Sequence, residues 1–239
     1  MGSRLSLALV VAAAGYGTRL DSGLPKQYVP LLGIPMLQRT LTSLASCPAV
    51  DALVVVVNNQ DVEYCESQIF QELIDKVVRV APGGDERGLS VRSGLAALAE
   101  AGRWDLVGVH DGARPLITCE EITRAVETLA ADEQLAGAVL GVPSTDTIKV
   151  VDDGGVVVST PDRRTIWRAQ TPQIFRWSVL MSAYSEASEE ELVSATDDAT
   201  LVEAGGGRVV MVKGSPENFK ITDRVDLRRA EQILAERRR

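Results

Sequence analysis

VVAAAGYGTRL (Val10 to Leu20) runs from a β-branched, apolar segment into a small Gly-rich turn, and LPKQY (Leu24 to Tyr28) follows at once. A strand that feeds such a turn exposes backbone N–H groups that no side chain shields, and those groups suit phosphate oxygens. Arg19 and Lys26 add the positive charge that a polyphosphate needs. The stretch therefore reads as the cradle of a nucleoside triphosphate. A Walker A loop, G-x-x-x-x-G-K-[ST], is absent. A dinucleotide fingerprint, G-x-G-x-x-G, fails at Leu20, where its third Gly belongs. The bland alternative is a strand-to-helix turn that is merely small.

Outward from this turn, apolar runs over 5–13, 52–57, 76–80, 106–110, 137–142 and 208–213 read as strands covered on both faces. Helices are expected over 35–46, 61–74, 90–101, 120–131, 177–191, 196–204 and 222–238. Thr196 and Thr222, each followed by acids, read as N-caps, and Ser90 as another. The alternation predicts an α/β, Rossmann-like fold: one domain with a mostly parallel open sheet, helices on both faces, and ligands beyond the carboxyl ends of the strands. One segment breaks the pattern. Residues 147–151, the turn DDGG and 156–160 read as a β-hairpin, part of an arm at about 144–170. A two-stranded arm is marginal alone, so it needs packing, either on its own domain or on a second subunit.

The chain has 239 residues, 45% of them hydrophobic, enough for one sizeable core. Its 25 Lys and Arg against 33 Asp and Glu give a net charge of −8. That balance opposes sequence-independent nucleic-acid binding. Cys47, Cys65 and Cys119 are scattered without a C-x-x-C pair. They suggest neither a zinc site nor a disulfide framework, and they suit a reducing, cytoplasmic setting. Arg4 with LSLALVVAAAG has the look of a short signal peptide, and MGSRLS fits a myristoylation pattern. Because the apolar run enters the Gly turn directly, we read it as a buried first strand. No apolar run approaches the roughly 20 residues of a membrane span.

Polar groups cluster just after the expected strands: Gly15, Gly17, Arg19 and Lys26; then Gly84, Asp85, Arg87 and Ser90; then Asp111 and Arg114; then Thr147 and Lys149; then Lys220. Strand ends on one sheet edge share a crevice, so these groups can converge. The single His, His110, leaves no ligand set for a His-based zinc site, and no nucleophile elbow occurs. The inventory favours phosphoryl chemistry by positioning and charge. Asp111, a hard carboxylate among cations, is the best candidate Mg²⁺ ligand; its plain alternative is a loop or capping Asp.

The set AAAGYGTR, PKQY, GGDERGLSV, HDGARP, DTIK, TPDRRTIWRAQTPQIF, TDDATLVE and NFKIT, in this order, resembles the 2-C-methyl-D-erythritol 4-phosphate cytidylyltransferases of the non-mevalonate isoprenoid route. The resemblance covers roughly 7–233 and implies transfer of CMP from CTP to the polyol phosphate, with release of pyrophosphate. It implies a nucleotidyltransferase domain that forms a homodimer through projecting β-arms. Arg19, Lys26 and Lys220 would be catalytic. Ala13, Ala14, Gly15, Gly84, Asp85, Ser90, Asp111 and Gly112 would hold CTP, with Asp111 near Mg²⁺ and Arg87 buttressing the loop. Arg114, Thr147, Arg163 and Thr171 would meet the acceptor, Thr147 and Arg163 from the partner's arm. Gly112 stands where the family commonly has Ala, which is expected to loosen that loop slightly. The alternatives are a ribitol 5-phosphate cytidylyltransferase, disfavoured by the AAAG of the first loop, and a non-catalytic nucleotide-binding regulator. A nicotinamide oxidoreductase is weakened by Leu20.

Overall fold

The computed structural model describes residues 4–15, 24–69 and 76–237. Its first strand, β1 (Leu7–Ala12), sends Leu7, Leu9 and Val11 into one core cluster and Ala8 and Val10 into another. Two-residue strands β2 (Pro30–Leu31) and β3 (Ile34–Pro35) lead into α1 (Met36–Ala45) and β4 (Ala52–Val57). After α2 (Val62–Tyr64) come β5 (Val77–Pro82), α3 (Arg87–Ala101), β6 (Leu106–Asp111), α4 (Cys119–Ala131) and β7 (Gly137–Pro143). The arm holds β8 (Val150–Val151) and β9 (Val157–Ser159). The chain then returns through β10 (Trp167–Arg176), α5 (Trp177–Glu186), α6 (Glu189–Ser194), α7 (Asp198–Ala204), β11 (Val209–Lys213) and α8 (Arg224–Arg237).

Seven strands form the expected open sheet, in the order β11-β7-β10-β6-β1-β4-β5. Neighbours are parallel except at β10, which runs antiparallel to both β6 and β7. Leu37, Leu41 and Leu44 of α1 and Ile122 and Leu129 of α4 cover one face. Val91 and Leu98 of α3, Leu180 of α5 and Val202 of α7 cover the other. Each such side chain contributes about 1.5–3 kcal/mol when fully buried, so both faces hold the sheet. At Gly94 an added Cβ would lie 2.5 Å from Val10 Cγ1 and 2.8 Å from Val56 Cγ2. The absent side chain lets α3 lie close on β1 and β4. A third cluster, with Leu31, Leu116, Ile221 and Ala230, fastens α8 to the loops beside the sheet.

Several elements depart from expectation. β10 carries Pro172 and five polar or charged residues among its ten, so its sequence lacks a strand period. Its register shifts between Ala169 and Gln173, and the Thr171–Pro172 peptide is cis. Residues 177–191 form two helices, because Ser188 and Glu191 close a capping box that starts α6. Asp197, not Thr196, caps α7 by accepting from Thr200 N. Asp223 accepts from Val225 and Asp226 N, whereas the Thr222 hydroxyl donates to Asp226. Ser90 lies inside α3 rather than capping it. The helix expected over 61–74 is the short α2 followed by a π-helical turn, Cys65–Ile69; its remainder lies outside the described residues.

Against the expectation of unpaired cysteines, Cys47 and Cys119 form a disulfide, with Cα atoms 5.1 Å apart. Cys47 follows α1 and Cys119 opens α4, and these helices share one sheet face, so the topology joins residues 72 apart in sequence. Cys65 is free and buried.

The expected hairpin is present as a separate two-stranded sheet. Asp152 Oδ1 accepts from Gly154 N (3.0 Å) and Val156 N (2.9 Å), and Lys149 Nζ donates to Thr160 Oγ1 (2.9 Å). Every residue from 145 to 160 is exposed. Among the described residues no helix is long and apolar enough to cross a membrane.

Candidate active site

β4 and β5 step outward from β1 on one side, and β6 returns to its other side. The β1–β6 boundary is therefore the switch point of the sheet, where the loops diverge and leave a crevice. Three loops extend the parallel ladders past the strand ends: Ala13 N donates to Val56 O (2.8 Å), Gly83 N to Val57 O (2.7 Å) and Gly112 N to Ala12 O (2.9 Å). An added Cβ on Gly83 would lie 2.4 Å from Ala14 Cβ, so glycine is what lets the loops after β1 and β5 touch.

A cavity of about 270 Å³ opens above these loops. Ala13, Ala14, Gly15 and Lys26 line it after β1, Gly84, Asp85 and Ser90 after β5, Asp111 and Gly112 after β6, and Lys220 after β11. The structure thus brings together all eight residues expected to hold CTP. The buried Ser90 hydroxyl accepts from Gly84 N and donates to Gly84 O, both at 3.1 Å, which closes the loop over the cavity. The expected loosening at Gly112 is offset: its amide is held by Ala12, and its carbonyl accepts from Thr40 Oγ1 at 2.9 Å.

Asp111 is the charged centre of the crevice. Its Oδ2 lies 3.0 Å from Arg114 Nε and 3.3 Å from Lys220 Nζ, and its Oδ1 lies 4.0 Å from Arg87 Nε. Burial pushes the carboxyl pKa up, but Lys220, Arg114 and Arg87 outweigh burial and hold it well below the usual carboxylate range. Arg87 in turn is gripped by the fully buried Asp198 (Nη1 3.0 Å, Nη2 2.7 Å), which also accepts from Tyr184 OH at 2.6 Å. Gln173 Oε1 accepts from the amides of Asp198 and Ala199, and its Nε2 donates to Asp197.

A second cavity, of about 330 Å³, adjoins the first. Arg87, Asp111 and Lys220 line both; the second also takes in Arg114, Thr196, Asp197 and, from β10, Ala169, Gln170, Thr171 and Gln173. Because β10 is antiparallel, its first half lies at the edge where the parallel strands end, which delivers Gln170 and Thr171. The Gly214–Ile221 loop crosses the same edge: Asn218 Nδ2 donates to Thr171 O (2.9 Å), and Ile221 N to Ala113 O (2.9 Å). That crossing sets Lys220 over Asp111.

Other expected site residues fall elsewhere. Thr171 lines the second cavity, but its hydroxyl is engaged inside the protein by Asp111 N and His110 Nδ1. Thr147 and Arg163 are exposed on the arm and line neither cavity. Arg19 and Gly17 lie outside the described residues. The sequence reading gave no role to Gln170, Gln173 or Asp197; their signal was their place in the QTPQ and TDDA segments, without a recognised strand to carry the first. His110 is fully buried, and burial pushes its pKa down to about 4, so it is neutral at pH 7.

Among the described residues no group of three or more His, Cys, Asp or Glu side chains is arranged to hold a metal. Asp111 is the one carboxylate that lines both cavities. Mg²⁺ commonly keeps its waters and binds one or two carboxylates together with substrate phosphates. The site therefore fits a cation that arrives with a polyphosphate, not a protein-only cage.

Comparison with known proteins agrees with this architecture. The family model for 2-C-methyl-D-erythritol 4-phosphate cytidylyltransferase matches residues 7–236. An enzyme of that name from Desulforamulus reducens is 39% identical, covering 97% of each chain, and one from Alkaliphilus metalliredigens is 42% identical, covering 97% of this chain and 94% of its own. Among solved structures, 4-diphosphocytidyl-2C-methyl-D-erythritol synthase from Anaerococcus prevotii superposes with a TM-score of 0.82 at 28% identity, over 98% of this chain and all of its own. The Francisella tularensis cytidylyltransferase gives 0.79 at 31% identity, over 95% and 99%. With the crevice, the sheet order and the full-length match in agreement, this chain belongs to the 2-C-methyl-D-erythritol 4-phosphate cytidylyltransferase family.

Proposed function

We propose that the chain transfers the CMP moiety of CTP to 2-C-methyl-D-erythritol 4-phosphate, giving 4-diphosphocytidyl-2-C-methyl-D-erythritol and pyrophosphate. The observation that carries this reading is the shared wall of Asp111, Lys220 and Arg87 between two adjoining cavities. CTP occupies the first, under the Gly84–Ser90 loop, and the sugar phosphate occupies the second. The two phosphates then meet at the shared wall. The acceptor phosphate has a second pKa of about 6, so it is already ionised at pH 7 and needs no general base. Buried, neutral His110 offers none.

An acceptor oxygen forms a bond to the α-phosphorus as the bond to the β-phosphate oxygen breaks, and pyrophosphate leaves with the electron pair. The obstacle is bringing anions together and carrying charge on the leaving group. Lys26, Lys220 and Arg19 stabilise that charge, and Arg114 and Arg87 hold the acceptor side. Mg²⁺, held by Asp111 and phosphate oxygens, would supply further neutralisation of the triphosphate. The arm is read as the contact of a homodimer, bringing Thr147 and Arg163 to the partner's crevice, and the setting is read as cytoplasmic.

The direct test is Mg²⁺-dependent pyrophosphate release from CTP with methylerythritol 4-phosphate or ribitol 5-phosphate as acceptor. Strong preference for the first is expected. Preference for ribitol 5-phosphate would keep the chemistry and change the substrate, and silence with both would leave a nucleotide-binding protein.

A further inference from the structure

The protein's single histidine touches neither cavity, yet it sits in a closed ring of hydrogen bonds around the residues that do. Asp111 N donates to Thr171 Oγ1 at 3.0 Å. Arg114 O, 3.2 Å from Nε2, can only accept, so Nε2 carries the proton of the neutral ring and donates it there. Nδ1 is then the unprotonated nitrogen, and it accepts the Thr171 hydroxyl proton at 3.1 Å. The ring closes through the Arg114 side chain, whose Nε bonds Asp111 Oδ2 at 3.0 Å and whose Nη1 bonds Asn218 O at 2.9 Å.

We infer that His110 is a positioning residue for the acceptor half of the reaction: as the Nε2–H tautomer it ties Thr171 on β10 to the Arg114 carbonyl after β6. The tie fixes the main chain on both sides of Asp111 and Arg114. Those two side chains wall the second cavity, and only Asp111 reaches the first. Loss of the tie therefore acts on acceptor use more than on CTP binding. The inference deepens the transferase reading and rests on it.

The chain's one histidine makes the test clean. In ¹⁵N-histidine-labelled protein at pH 7, NMR should show an unprotonated Nδ1 and a protonated Nε2, and Thr171→Val should move the Nδ1 line. His110→Phe, which keeps shape without polarity, should cut kcat/KM for methylerythritol 4-phosphate about tenfold or more, the scale of a lost buried hydrogen bond, with KM for CTP within about twofold. His110→Asn, whose Oδ1 can still accept from Thr171, should recover part of the loss. His110→Phe with Thr171→Val should be little worse than either alone, because both cut one chain. If His110→Phe does not fold, Thr171→Val carries the kinetic test. A protonated Nδ1, or unchanged acceptor kcat/KM in a folded variant, would overturn the inference. Wild type that releases no pyrophosphate would instead overturn the transferase reading, while the ¹⁵N lines still judge the ring.

Discussion

The crevice and the arm are built on opposite terms. Around Asp111 nearly every polar group has a partner within the chain, and Asp198, His110 and Asn218 have no solvent exposure. On the arm, Val156 and Val158 are each 66% exposed and Val157 53%, and the hairpin is held by its own turn, its short ladder and the Lys149–Thr160 bond. Exposed apolar side chains of that kind cost free energy in water, which is what supports the proposed reading of the arm as a subunit contact. All eight residues expected to hold CTP line one cavity of a single chain, whereas the arm carries Thr147 and Arg163 away from it.

The comparison breaks most readily in the crevice. Lys26→Ala and Lys220→Ala are each expected to lower kcat by about 10²–10³, the usual loss when a charge-stabilising group is removed, with the melting temperature nearly unchanged. Normal turnover in both, measured by pyrophosphate release, would mean that the cations do not act on the reacting phosphates. If the arm is a dimer contact, Val156→Asp with Val158→Asp is expected to leave each chain folded while shifting light scattering toward monomer and cutting activity about tenfold. Full activity as a monomer would make the arm ornamental. Asp198→Asn tests how far the crevice depends on its buried pairs: it weakens the grip on Arg87 and is expected to cost about 2 kcal/mol, less than for a fully buried pair because Arg87 is 31% exposed. Denaturant unfolding reads that loss directly.

Acid should also separate the two regions. The folded pKa of His110 lies below its ordinary value, from 6.5 down to about 4, so between those values the unfolded chain binds a proton that the folded chain refuses. Stability contributed there is complete above about pH 6.5 and falls as pH drops toward 4. The lowered pKa of Asp111 removes more as pH falls below the usual carboxylate range. Unfolding free energies from pH 7 to 4 should therefore decline in wild type and decline less in His110→Asn. An identical slope in both would show that His110 titrates normally.

Much of this was legible in the residues. β1, β4 and β6 announce themselves because strands buried on both faces need continuous apolar runs. Lys26, Asp111 and Lys220 stand just past such runs, and the sheet does gather them. β10 was hidden because WRAQTPQIFR has neither a strand period nor a central-strand composition; its pairing comes from the gap between β6 and β7, not from propensity. With β10 went the roles of Gln170 and Gln173. The Cys47–Cys119 bond was hidden for a related reason: it joins two βα units that meet only in the fold. The division of Asp197 and Asp198 into a cap and a buried partner of Arg87 is likewise a tertiary fact.

If one chain's crevice works with another chain's arm, two differently damaged chains must complement each other. Arg163→Ala and Lys26→Ala proteins, each inactive alone, should be mixed, dissociated and re-formed, and assayed for pyrophosphate release. Recovery of about a quarter of wild-type activity is predicted, since half of randomly re-formed dimers are mixed and each mixed dimer holds one intact site. Mixed dimers verified by mass spectrometry that remain inactive would contradict the account.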